Sequence, residues 1–233
     1  MWGKPYFSEM DKHTALKSLV SIFEQHSNRL EAPKMEAYMK GISPFLGIKK
    51  PIRAAISKSL QKEIIQDKEI DPTILIKSLW QKPYREFHYF AMEYAEKKKI
   101  YKDRNSIELI EWLITEKSWW DTVDFLASHL AAKYFKEFPD QKEVIINRWI
   151  LSDNMWLNRS AIIFQIFYKG DTDLDLLIKA ILQHQDSKEF FLRKAMGWAL
   201  RQYAQEDPRF VKNFVSTNEL SGLTVREALK HLT

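Results

Sequence analysis

Residues 109–135 read LIEWLITEKSWWDTVDFLASHLAAKYF, and their apolar side chains recur three and four positions apart. That spacing puts them on one face of an α-helix, whereas a half-buried strand would alternate at every second residue. The polar residues 115–118 interrupt the pattern once. The stretch therefore predicts two amphipathic helices joined by a short turn.

The rest of the chain repeats this periodicity and carries residues that start helices. Asp71-Pro72 and Asp207-Pro208 each join an N-cap aspartate to a proline at the first helical position. Glycine occurs only six times, and no Asn-Gly or Asp-Gly pair marks a hairpin. We therefore expect an all-α protein with many short helices.

The helical segments also recur in pairs. Each pair has an aliphatic first helix, a short polar turn and a second helix that opens on an aromatic residue, and both series repeat every 32–37 residues. The first helices lie near Leu75, Leu109, Ile145 and Leu177, and the second open at Tyr84, Trp119, Trp156 and Phe190. This period is typical of an α-solenoid, in which each pair buries its apolar face against the next.

Because no consensus of the tetratricopeptide type is evident, we describe these repeats as HEAT-like. No linker interrupts them, so we expect a single domain over residues 1–233, with residues 1–11 as a candidate loose N-terminal segment. A curved solenoid of this kind would present a concave basic groove.

Composition narrows the classes of partner. The 233 residues are 45% hydrophobic and 29% charged, which is typical of a globular protein, and no apolar run is long enough to span a bilayer. The absence of cysteine excludes disulfides and favours a reducing cytoplasm. The net charge of +5 favours a polyanionic partner, since lysines and arginines release counterions from phosphates.

The openings of the second helices place arginines and an aromatic residue in a similar register: Arg85, Trp120, Arg159 and Arg193. A strip of such residues suits a nucleic-acid backbone. The alternative is that the opening aromatics are hydrophobic staples and the arginines are solvated flanks.

The common catalytic motifs are absent, including a glycine-rich phosphate loop, GxSxG and HExxH. The six histidines have no metal-ligand spacing, so we expect neither a metal nor another cofactor. Trp120 and Asp124 lie four residues apart and share a helix face, where a ring and a carboxylate would attract a cation. Asp124 would otherwise be an ordinary aspartate near a helix N-terminus.

We expect the two adjacent tryptophans to separate. Trp119 falls on the stripe of Val123, Leu126 and Leu130, which predicts core, and Trp120 would face the groove.

A second unusual position is Gly197, which lies inside a strong helical pattern just before Trp198. Glycine costs about 1 kcal/mol relative to alanine there, which indicates that something packs closely against this helix. Arg193 and Arg201 flank the tryptophan. An ordinary helix crossing explains the glycine equally well.

Six blocks of the sequence together resemble the bacterial AlkD-type DNA alkylation repair proteins, in the order found in that family and over almost the whole chain. The blocks EKSWWDTVD and SKEFFLRKAMGWALRQYA are specific, and the others support them. They occupy residues 38–53, 79–94, 116–124, 152–165, 187–204 and 218–231.

The resemblance implies a HEAT-like helical fold and a DNA glycosylase that releases cationic N3- or N7-alkylated purines from duplex DNA. It implies Asp124 as the catalytic carboxylate and Trp120 and Trp198 as the aromatics against the damaged nucleotide. Implied DNA contacts are Arg159, Arg201 and Tyr38, and we add the basic residues Arg193 and Lys194 of the same block. Some relatives lack the catalytic aspartate and tryptophans; this sequence retains all three.

The expected enzyme is a monomeric, monofunctional hydrolase without lyase activity, since no Schiff-base lysine is needed. We expect it in the bacterial cytoplasm, associated with the nucleoid when bound to DNA, and without membrane partners. The alternatives are a non-catalytic HEAT-like scaffold that binds DNA or a protein, and a helical repeat protein directed to RNA.

Overall fold

A computed structural model describes residues 12–232, and within that range all regular secondary structure is helical. The predicted all-α class is confirmed. The candidate loose segment 1–11 lies outside the described residues. No helix in the described range is long and apolar enough to cross a membrane.

The chain forms two compact units, the first ending at Ile100 and the second beginning at Tyr101. A single domain with a curved groove stays a prediction, and each unit is described by itself.

The first unit contains five helices between residues 12 and 100. They are α1 (Lys12–Gln25), α2 (Ala32–Tyr38), α3 (Lys50–Gln66), α4 (Pro72–Trp80) and α5 (Arg85–Lys97). The predicted cap at Asp71 is confirmed, because its side chain accepts hydrogen bonds from the amides of Thr73 and Ile74 at 2.8 and 3.2 Å. Phe23 of α1 stacks on Phe87 of α5 in the core.

A buried carboxylate fixes the loop between α2 and α3. Glu86 accepts hydrogen bonds from three successive amides, those of Leu46, Gly47 and Ile48, at 2.9, 2.9 and 3.1 Å. Gly47 has φ of +82°, and a Cβ there would lie 2.1 Å from the carbonyl oxygen of Asn28. Only glycine fits this turn.

The second unit continues with nine α-helices between residues 101 and 232. They are α6 (Ser106–Thr115), α7 (Trp120–Phe125), α8 (Ala132–Glu137), α9 (Pro139–Ile150), α10 (Met155–Ile163), α11 (Leu174–Gln183), α12 (Phe190–Tyr203), α13 (Pro208–Thr217) and α14 (Gly222–Ala228). A π-helical segment, Leu126–Ala131, joins α7 to α8 without a break. The core contains the buried ring of Phe135, in contact with Trp149 and Phe164.

The predicted helix pairs are confirmed. They are α4 with α5 in the first unit, and α6 with α7, α9 with α10 and α11 with α12 in the second. Each aromatic predicted to open a second helix lies at its start: Tyr84 and Trp119 are N-cap residues, Trp156 is the second residue of α10, and Phe190 is the first of α12. The HEAT-like label stays a prediction.

Candidate active site

Asp124 lies in the last turn of α7, two residues before the π-helical segment begins. Trp119 caps the helix in an extended conformation, with φ of −158°, and Trp120 is the first helical residue. In the π-helical segment the Ser128 hydroxyl donates a hydrogen bond to the carbonyl oxygen of Asp124 at 2.6 Å. π-Helical segments often occur at functional sites because they change the register of side chains along a helix.

The Asp124 carboxylate is held by the guanidinium of Arg159 from α10. Arg159 donates from Nε to Oδ1 at 2.7 Å and from Nη2 to Oδ2 at 2.8 Å. Its remaining nitrogen, Nη1, donates to the carbonyl oxygen of Phe191 in α12 at 2.5 Å. Arg159 of α10 therefore connects α7 with α12, and its contact with the Asp124 carboxylate is planar and bidentate.

The pair is buried unevenly. The Arg159 side chain is 6% exposed and that of Asp124 is 20% exposed, so Asp124 is the more accessible partner of the pair. Burial raises the pKa of Asp124 above its usual value, the guanidinium of Arg159 opposes that shift, and Asp121 adds to it.

The position of Arg159 differs from that expected of an arginine that binds a DNA phosphate. Arg159 is buried, and all three guanidinium nitrogens donate to Asp124 or to Phe191. Arg85, in the same register of its helix pair, is fully buried as well. The expected strip is therefore wrong at Arg85 and Arg159, because the opening turns of α5 and α10 pack inward, whereas Trp120 and Arg193 are half-buried. The phosphate contact of Arg159 stays a prediction.

Three aromatic rings support this site. Trp119 lies 5.8 Å from Trp156 and 5.0 Å from Phe191 between ring centroids, and the latter two rings are 5.1 Å apart. The expected stripe of Val123, Leu126 and Leu130 is fully buried. Trp119 differs from the prediction, since it is only half-buried and precedes the helix. Trp120 and Asp124 are both half-buried.

Trp198 lies on α12, two helical turns beyond Phe191 on the same face. Seven residues at 1.5 Å each place it about 10 Å along the helix from the carbonyl that Arg159 contacts. Its side chain is half-buried. The preceding Gly197 faces α14: a Cβ there would lie 2.5 Å from the Cβ of Glu227 and 2.7 Å from the carbonyl oxygen of Thr224. The expected close approach to this helix is confirmed.

The basic residues around Trp198 are in different environments. Lys194 and Arg201 pair with Glu227 of α14 at 2.7 and 2.8 Å. Arg193 is half-buried, and its Nε–H is buried without a hydrogen-bond partner among the described residues. Tyr38, in the first unit at the end of α2, is 71% exposed.

Sequence reasoning missed three members of this site. Phe191 contributes a backbone carbonyl, which no residue type indicates, and a ring that packs against Trp119 and Trp156. The sequence pattern predicts Trp156 only as an aromatic that opens a helix, and the block that contains Glu227 indicates no chemistry by itself. In the described range, no group of three or more acidic or histidine side chains is arranged to hold a metal ion.

Comparison with known proteins identifies the family of this chain. The sequence profile of a family described as DNA alkylation repair enzyme matches residues 19–232. A solved structure described as a predicted DNA alkylation repair enzyme from Enterococcus faecalis is 32% identical, with a TM-score of 0.83, over 89% of this chain and 97% of that one. A comparison with curated proteins gives no significant match. By its profile match over most of its length, the chain belongs to the family of DNA alkylation repair enzymes.

Proposed function

We propose that this protein is a DNA glycosylase that hydrolyses the N-glycosidic bond of cationic N3- or N7-alkylated purines in duplex DNA. The observation that carries the proposal is the Asp124 carboxylate, fixed by two hydrogen bonds from Arg159 on a side chain that is 20% exposed. Family membership supports the broader role in alkylation repair.

The chemistry asks little of the protein at the leaving group. Alkylation at N3 or N7 puts positive charge on the purine, which then departs as a neutral base. A general acid is unnecessary. Positive charge develops on the deoxyribose as the bond breaks, so catalysis depends on anionic and π-rich groups that stabilise that charge more in the transition state than in the ground state.

Asp124 has the geometry for this task. Each carboxylate oxygen accepts one hydrogen bond from Arg159, and a carboxylate offers about four acceptor positions, so each oxygen retains capacity for a further contact. These remaining acceptor positions can stabilise the cationic sugar directly or accept a proton from the attacking water. Arg159 lowers the net negative charge, but it holds the carboxylate in one orientation, so no reorganisation is needed during the reaction.

Trp120 and Trp198 would supply the aromatic walls. Indole rings attract cations through their negative faces. Trp120 shares a helix face with Asp124, one turn away, and Trp198 projects from α12 about 10 Å beyond Phe191. Both residues are half-buried.

In the second unit, duplex binding would involve the basic residues of α12; in the first unit, Tyr38 is a separate candidate contact. Lys194 is the more accessible of the two cations that pair with Glu227, with 37% of its side chain exposed against 19% for Arg201. Arg193 and the exposed Tyr38 complete the proposed set. We assign Arg159 to positioning Asp124, and its direct contact with a phosphate would require a change from the observed pairing.

Base release from methylated duplex DNA tests this function. We expect release of alkylpurine with the DNA strand left intact and with EDTA without effect, as a metal-free monofunctional glycosylase requires. Binding of duplex without base release would instead support the non-catalytic scaffold, and preference for single-stranded RNA would support the third alternative. Sedimentation of the free protein checks the monomeric state.

A further inference from the structure

Glu227 connects two cations that flank Trp198. Lys194, Trp198 and Arg201 are spaced by four and three residues, so they follow one stripe of α12. Glu227 accepts from Lys194 Nζ through Oε1 at 2.7 Å and from Arg201 Nη1 through Oε2 at 2.8 Å. Each carboxylate oxygen therefore engages a different cation.

The position of this carboxylate is fixed by helix packing. Because Gly197 has no side chain, α14 approaches α12 until a Cβ at residue 197 would clash with Glu227 and Thr224. The Thr224 hydroxyl also donates a hydrogen bond to the carbonyl oxygen of Arg193 at 3.2 Å. Arg201 adds a second contact, from Nη1 to the Glu227 carbonyl oxygen at 3.2 Å.

Lys194 and Arg201 resemble a phosphate-binding site in which the carboxylate of Glu227 occupies the place of the phosphate. Two anionic oxygens accept hydrogen bonds from an ammonium and a guanidinium, the same groups that recognise a DNA phosphate. The Glu227 side chain is 15% exposed, and Lys194 beside it is 37% exposed. The hydrogen bond from Lys194 lowers the pKa of Glu227 below its usual value, and the hydrogen bond from Arg201 lowers it further. Glu227 is therefore an anion at neutral pH.

We propose that Glu227 competes with the DNA backbone for Lys194 and Arg201 and so restrains binding to undamaged duplex. This inference rests on the proposed function, in which α12 faces DNA. A backbone phosphate must displace the carboxylate or share the two cations with it, and in either case the negative charge of Glu227 opposes the approach of a polyanion. A lower affinity for undamaged DNA helps the protein to move along the duplex and to dissociate after the reaction.

The test is Glu227→Gln, measured as affinity for an undamaged duplex over a series of salt concentrations. We expect several-fold tighter binding at low salt and a log–log salt slope steeper by about 1, because a cation freed from Glu227 becomes available for a phosphate. In a Lys194→Gln/Arg201→Gln background, the same change should lose most of this effect.

Asp140→Asn is the matched control. It makes the same charge change in the second unit, at an exposed carboxylate of α9 that pairs with Arg104. An equal gain in affinity for this control would show a general charge effect and overturn the inference. Unchanged or weaker binding by Glu227→Gln would overturn it too.

Glu227→Asp guards against a folding defect, since it keeps the charge but withdraws the carboxylate from its partners. We expect a smaller gain than with glutamine, and no gain in either variant contradicts the inference. Failure is distinguishable from failure of the proposed function: if the wild type binds no duplex, the function is wrong, whereas normal wild-type binding with an unresponsive Glu227 refutes only this restraint.

Discussion

Replacing Arg159 with methionine removes the guanidinium from Asp124 while keeping a side chain of similar length. Breaking a buried ion pair by removing one partner costs about 3–5 kcal/mol, because the other charge is left uncompensated. The Asp124 side chain retains 20% exposure, so we expect a loss of free energy of unfolding near the lower end, about 3 kcal/mol.

The loss should depend on pH. Burial already raises the pKa of Asp124, and loss of Arg159 removes the group that opposes that shift. A carboxyl whose pKa is higher in the folded chain binds more protons when folded, so its contribution to stability falls as the pH rises through the folded value. The variant should therefore be most destabilised near neutral pH and recover part of the loss in acid. The acid limb of its pH–rate profile should also lie at higher pH than in the wild type.

Urea unfolding at about pH 8 and about pH 5 measures the first effect, and single-turnover base release against pH measures the second. Arg104→Met is the control, because Arg104 pairs with Asp140 where both side chains are more than half exposed. Exposed pairs contribute little. A loss in Arg159→Met no larger than in this control, with no pH dependence, would refute the anchoring role of Arg159.

Two further predictions concern packing. Gly197→Ala should destabilise the protein, because the added Cβ would lie 2.7 Å from the backbone oxygen of Thr224. Such overpacking costs about 1–3 kcal/mol, which outweighs the gain of about 1 kcal/mol from the higher helix propensity of alanine. An increase in melting temperature would contradict the close approach of α14. Glu86→Gln should lower the free energy of unfolding by about 1–3 kcal/mol, since the glutamine side chain has one acceptor oxygen for three buried backbone amides. Amide hydrogen exchange should become faster at Leu46, Gly47 and Ile48. Unchanged protection at these amides would contradict the role of Glu86 in fixing the loop.

The sequence predicts most of the helix pairs because helical periodicity and capping are local. The apolar stripe of Val123, Leu126 and Leu130 follows from spacing alone, and Asp71 caps α4 as its place before a proline indicates. The sequence also predicts the close approach at Gly197. A glycine inside a helix is costly unless another element needs the space, and α14 occupies it.

The pairing of Asp124 with Arg159 could not be predicted from spacing, because 35 residues separate them and their meeting depends on how α7 and α10 pack. Burial of Arg85 and Arg159 was missed because a charged residue at a helix start is usually solvated. The π-helical segment that follows α7 also has no sequence signature, and α7 begins at Trp120, one residue after the predicted opening at Trp119. These features depend on tertiary packing.

The most direct test of the central claim is the single-turnover rate of 7-methylguanine release from methylated duplex DNA by wild type, Asp124→Asn and the control Asp121→Asn. If Asp124 stabilises the cationic sugar, Asp124→Asn should lose about 100-fold or more in rate, as expected for removal of one preorganised electrostatic group. It should still fold and bind duplex, and Asp121→Asn should remain close to wild type. Release by Asp124→Asn at the wild-type rate would contradict the account.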